Sequence, residues 1–142
     1  MPCRSVSLQG LAVKLDRASD SSAVTNGTTA VHTRVMDASR RIGFQGVAGA
    51  FSESAVRHWW PEGQAIGFVA FADVVAALLD GRVDHAVLPV ENLIAGQVVA
   101  SLEAIATAGS AVRIVDTMAL PIELCLVGLT GATIDRITTV MS

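Results

Sequence analysis

Two cysteines among 142 residues, Cys3 and Cys125, lie far apart and carry neither the density of a disulfide framework nor the spacing of a metal site. A reducing compartment follows as the simpler setting. No apolar run approaches the roughly 20 residues that span a bilayer, because Arg82, Asp84, Arg113 and Asp116 interrupt the hydrophobic stretches. The chain also lacks any stripe of one charge. Ten basic and thirteen acidic residues are scattered singly, for a net charge of −3, so nothing is built to neutralise a phosphate backbone, and neither nucleic acid nor membrane is an expected partner. No cluster of metal ligands is present, no nucleophile has a recognisable base, and no carboxylates are paired at helical spacing. His32, His58 and His85 stand without partners at ligand or triad spacing and read as surface or packing histidines.

What is present is apolar: 51% hydrophobic residues with a mean hydropathy of +0.53, ample for a buried core in one domain. Residues 1–40 are rich in Ser, Thr and isolated charges, without sustained periodicity, and are expected to form a flexible leader. Its Arg and Ser content leaves an organellar transit peptide as one alternative; an upstream start codon before Met36 is another. From Arg41 onward, runs of strand length alternate with segments of helical period, the pattern of βαβ crossovers in a mostly parallel sheet. Strands are predicted near 41–45, 66–69, 84–89 and 112–119. Helices are predicted over 52–60, 71–79 and 97–108, with Ser52 as an N-cap and Gly81 just past a C-terminus. Ile137 to Val140 read as a further short β-branched run.

Two stretches can carry chemistry. In GFQGVAGAFSES, from Gly43 to Ser54, glycines at 43, 46 and 49 precede a helix start, but neither a dinucleotide fingerprint nor a P-loop is spelled out. A helix N-terminus there favours an anion, carboxylate as readily as phosphate; a plain cap explains Ser52 equally well. In AVLPVENLIAGQV, from Ala86 to Val98, a strand delivers Glu91 and Asn92 to the carboxyl edge of the sheet, where the ligands of open α/β sheets bind. An ordinary turn accounts for the same residue types.

Together with LPIELCLVG, Leu120 to Gly128, these stretches resemble the prephenate dehydratase family in order and spacing, over about Arg41 to Ser142. The resemblance implies an α/β catalytic domain of two lobes, similar to the type 2 periplasmic-binding-protein fold, of which residues 41–142 resemble the first lobe. The second lobe and a phenylalanine-binding ACT domain have no counterpart here. It further implies a lyase of L-phenylalanine biosynthesis that converts prephenate to phenylpyruvate, water and carbon dioxide without metal or organic cofactor. By resemblance, the substrate-binding residues are Gly49, Ala50, Phe51, Ser52, Glu91, Asn92, Leu93 and Gly96. The expected acid, a Thr in a Thr-Arg-Phe motif, belongs to the second lobe, so no catalytic residue is assigned. Leu93 and Leu124 stand where the family usually has Ser and His. Arogenate dehydratase is one alternative; a non-catalytic dicarboxylate-binding or regulatory fragment is another. A cytoplasmic setting is expected, organellar if the leader is a transit peptide, as is a homo-oligomer formed through unpaired backbone at Ile122 to Leu129.

Overall fold

The computed structural model describes residues 5–18, 40–93 and 96–141. Six strands and three helices follow one another as β1 (Ser5–Arg17), β2 (Arg41–Gln45), α1 (Phe51–Trp59), β3 (Gln64–Phe68), α2 (Phe71–Leu79), β4 (His85–Asn92), β5 (Gly96–Gln97), α3 (Val99–Ala108) and β6 (Val112–Cys125). One sheet in the order β3-β2-β4-β1-β6 holds them, with the short β5 paired to β4. The α/β class agrees with the alternating sequence pattern. The pairing is mixed, however, where a mostly parallel sheet was expected: β2 runs parallel to β3 and β4, while β1 is antiparallel to both β4 and β6.

The antiparallel strand comes from the stretch expected to be a flexible leader. Ser5–Arg17 instead form a thirteen-residue strand between β4 and β6. The reason is the spacing of Leu11, Val13 and Leu15, which point to one face of the sheet and join its core, while Ala12 points to the other. Polar neighbours mask that alternation in the sequence. The rest of the leader, including Cys3, His32 and Met36, lies outside the described residues except for Ala18 and Arg40.

The sheet is buried on both faces at its centre. Val87 of β4 packs with Ile42, Phe44 and the α1 residues Ala55 and Val56, together with Trp60, whereas Ala86, Leu88 and Val90 meet Val74, Val75, Ala77 and Leu78 of α2 and Ala104 of α3. A strand covered on both sides reads as a continuous apolar run, as β4 does. Pro121 was expected to precede a separate run, yet β6 continues through it to Cys125. Proline is tolerated there because β6 is a sheet edge, with one side free of a ladder. Ile122 to Cys125, expected to be unpaired, are paired with Ser5 to Leu8. Beyond them Val127 and Leu129 are 87% and 90% exposed. Ile137 to Val140 form no strand.

Beyond its apolar face, β1 is pinned by a polar cluster at the end of the sheet where β2 and β4 begin. His85 Nδ1 lies 2.5 Å from Asp16 Oδ1, and Nε2 lies 2.6 Å from an Arg40 guanidinium nitrogen. Arginine has only donors, so Nε2 must accept and Nδ1–H must donate to Asp16, which fixes the neutral tautomer. The imidazole stacks on Trp60 with centroids 4.7 Å apart, and Lys14 Nζ sits 4.5 Å from the Trp60 ring centre. His85 is therefore a packing histidine, as the sequence implied. Burial works against the Asp16 charge, but the hydrogen bond from His85 and the charges of Lys14 and Arg113 help to hold the carboxyl below its usual range.

Two outcomes are expected in urea unfolding. Leu15 is fully buried, so Leu15→Ala should cost about 2–5 kcal/mol; a loss under about 1 kcal/mol would show that β1 does not hold this place. A depressed carboxyl pKa contributes stability present above the unfolded value of about 3.9 and lost as pH falls through the folded value. Stability should therefore decline below about pH 4 with a contribution that Asp16→Asn removes, and an unchanged slope in that variant would contradict the pairing.

Candidate functional site

A cleft of about 300 Å³ opens at the carboxyl ends of the parallel strands. Its walls come from four parts of the chain: Gly10, Leu11 and Ala12 of β1; Gln45 at the end of β2 with Ala50, Phe51 and Ser52 at the start of α1; Pro89, Glu91 and Asn92 of β4 with Val98; and Leu120 and Ile122 of β6.

The turn from β2 into α1 is set by two glycines. Gly46 and Gly49 have φ of 123° and 88°, conformations that L side chains rarely adopt. Gly43, by contrast, lies within β2 against Val74, Phe68 and Val83, so the three-residue spacing mixes a packing glycine with two turn glycines. The turn delivers Ala50, not Ser52, to the N-cap of α1. Ser52 is the second residue of the helix and 9% exposed, so it does not hold the cap position. The role expected of a cap side chain falls to Glu53. Its Oε2 accepts from Gly49 N–H at 2.7 Å, while Oε1 accepts from Arg57 one turn later at 3.0 Å. The Gly49 hydrogen bond first, then the Arg57 guanidinium, hold the Glu53 carboxyl below its usual range. The N–H groups of Phe51 and Ser52 precede the first residue that can bond within the helix, and with the helix dipole they make this wall favourable to an anion.

The opposite wall is the last turn of β4. Glu91 and Asn92 pair antiparallel with Gln97 and Gly96 of β5. Of the eight residues expected to bind substrate, Ala50, Phe51, Ser52, Glu91 and Asn92 line the cleft. Gly49, Leu93 and Gly96 do not. Gly49 supplies the turn and the N–H that binds Glu53. Leu93 is 68% exposed, its N–H donating to Gln9 O, and Gly96 has open space where a Cβ would stand, so its glycine answers to a φ of 74° and not to close approach. Leu124 pairs through its backbone with Val6 and is not among the residues that line the cleft.

Sequence reasoning missed the β1 wall, Gln45, Pro89, Val98 and the roles of Leu120 and Ile122. The alternation at Leu11, Val13 and Leu15 was the available signal for β1. Among the residues lining the cleft, Glu91 is the one ionisable side chain, and the other polar groups are Gln45, Ser52, Asn92 and main-chain N–H groups. Among the described residues no group of His, Cys, Asp and Glu is placed to hold a metal ion. No helix of the described residues is long and apolar enough to cross a membrane.

The family model for prephenate dehydratase matches residues 42–142. Arogenate dehydratase 5, chloroplastic, of Arabidopsis thaliana is 34% identical over 102 residues, which cover 72% of this chain and 24% of that protein. A bifunctional N-acyl-homoserine lactone acylase/prephenate dehydratase of Komagataeibacter europaeus is 36% identical over 99 residues, 70% of this chain and 34% of that protein. The chain thus spans about a quarter to a third of the length of these curated relatives. Among solved structures, an ancestral cationic amino acid solute binding protein is similar at 17% identity and a TM-score of 0.48, over 84% of this chain and 44% of that one.

The capping geometry is open to test by nuclear magnetic resonance. The Glu53 carboxyl is expected to titrate below the ordinary glutamate value of about 4.3. Arg57→Leu should return it only part of the way, because the Gly49 N–H remains the larger cause. Full return to the ordinary value in that variant would show that Gly49 contributes nothing.

Proposed function

The chain belongs to the prephenate dehydratase family, and from that premise we propose that its cleft is the part of a dehydratase site that holds a carboxylate of prephenate. The observation that carries the reading is the meeting of the α1 N-terminus and Ser52 with Glu91 and Asn92 across one cleft. The reaction asks little of a protein. The ring carboxylate departs as carbon dioxide, its bonding electrons complete the aromatic ring, and the ring hydroxyl leaves as water once a positioned acid supplies a proton. What must be supplied is orientation, and donors that hold carboxylates while charge moves.

In this reading the Phe51 and Ser52 N–H groups and the Ser52 hydroxyl hold one substrate carboxylate. Asn92 orients it, and the apolar floor of Leu11, Ala12, Leu120 and Ile122 packs on the ring. Gly49 and Gly96 act through the backbone they shape, and Leu93 through the hairpin turn. The lining holds no cation, so a dianionic ligand is held here by neutral donors and a helix terminus alone. The activity, a cytoplasmic setting and a homo-oligomeric assembly all belong to this proposal.

One observation favours arogenate as the substrate. Arogenate carries an ammonium group where prephenate carries a keto group, and Glu91 is the one charged side chain in the lining. A carboxylate there pairs with the ammonium and repels a second anion.

Titration of prephenate into the isotope-labelled chain should shift the amide signals of Phe51, Ser52 and Asn92, with a Kd of about 1 mM or weaker. Ser52→Ala should weaken binding about 2–10-fold. Shifts confined to other parts of the chain would remove the reading. For the second reading, Glu91→Gln should lower the preference for arogenate over prephenate about fivefold, the value of a partly exposed ion pair. An unchanged ratio would favour prephenate.

A further inference from the structure

The family match begins at Ile42, yet the strand between β4 and β6 is made of residues 5–17. Both neighbours are antiparallel to β1, so β4 and β6 run parallel to one another with a gap one strand wide between them. The gap is a strand-accepting slot. It offers backbone ladders on two sides, from Ala86 to Asn92 and from Val112 to Cys125, together with an apolar floor that takes Val13 and Leu15. At one end it offers His85 for Asp16, and Leu78 O accepts from Arg17 at 3.3 Å.

Residues 18–40 join the end of β1 to the start of β2, and only β4 lies between those strands, a distance of two strand spacings or about 10 Å. Twenty-three residues can reach as far as ~75 Å. The same connection therefore serves a slot in its own domain and a slot in another molecule.

We propose that β1 is a donor strand exchanged between two copies of this chain, so that each copy's β1 enters the slot of the other and completes the other's cleft with Gly10, Leu11 and Ala12. Every contact made by β1 is the same in the exchanged and unexchanged forms. The balance between them is set by the effective concentration of β1 near its own slot, on the order of 1 mM for a connection of this kind. At micromolar concentration the chain keeps its own strand; near millimolar concentration the exchanged dimer forms. The closed form is favoured by proximity, not by better contacts.

Lys14 and Asp116 face each other across β1 and β6 in register, and neither is fully buried. With Cys3 and Cys125 replaced by Ser in every chain, one population carries Lys14→Cys and the other Asp116→Cys. The two are unfolded, mixed and refolded together under oxidising conditions. A disulfide between the two chains can then form in register only if the β1 of one lies in the slot of the other. The expected result, for equal amounts of the two, is a covalent heterodimer making up roughly a quarter of the protein after refolding at about 1 mM and roughly 1% at about 10 µM. A single chain carrying both cysteines, refolded at about 10 µM, should close its own disulfide and remain monomeric. If that chain closes and the mixture yields no heterodimer at about 1 mM, β1 does not exchange. If that chain fails to close, β1 is not in the slot, and the proposal falls with it.

Discussion

Everything in this domain depends on one strand being held from both sides. Among the described residues β6 has no hydrogen-bonded neighbour in the sheet other than β1, so the edge of the sheet, the wall of the cleft that β6 supplies and the chain beyond Cys125 are all positioned through it. The strand is held by means that do not overlap. Leu11, Val13 and Leu15 enter the core on one face, Ala12 on the other, and Asp16 meets the imidazole of His85 at the end. The polar anchor is worth little without the apolar face, because a partly exposed pair contributes modestly. The apolar face without the anchor has weaker register, since sliding by one residue would send its side chains to the wrong side.

The cleft is the second consequence. Three walls come from carboxyl ends of strands or the helix that follows, and the fourth is the early part of β1, running the opposite way. The chemistry of the lining is that of main-chain N–H groups, amides and a hydroxyl, with Glu91 as its single charge. Such a set orients a carboxylate well. It does little to neutralise one.

Much of this was legible in the sequence. The bounds of β2 and α2 coincide with the predicted ones, α1, β3, β4 and α3 differ by one to three residues at an end, β6 runs six residues further, and the run Ile137 to Val140 forms no strand; the agreement follows from clean period-two and period-3.6 patterns punctuated by Gly81 and Pro61. Five of the eight expected site residues line one cleft for the same reason: the ends of elements were correctly placed. The failures have separate causes. β1 was masked by the Ser, Lys and Asp residues around a five-residue alternation, and its burial depends on strand partners about 70 to 120 positions away, which no local window contains. Ser52 was taken for a cap because serine favours that position; here Glu53 reaches back to Gly49, and the N-cap lies two residues earlier, at Ala50. Pro121 was read as a break, and only the sheet order, which leaves β6 at an edge, shows why the strand continues.

The antiparallel strand also sets an order of events during synthesis. Ser5 pairs with Cys125, and the ladder between the two strands runs back to Arg17 with Val112. A ribosome therefore completes β1 when neither of its neighbours exists, then makes β2, α1, β3 and α2 before β4 offers the first ladder. The second arrives only with β6. Contacts this distant in sequence are entropically costly to close and slow to form. Until they close, the nascent chain carries an apolar strand with both edges open, the kind of segment that chaperones shield.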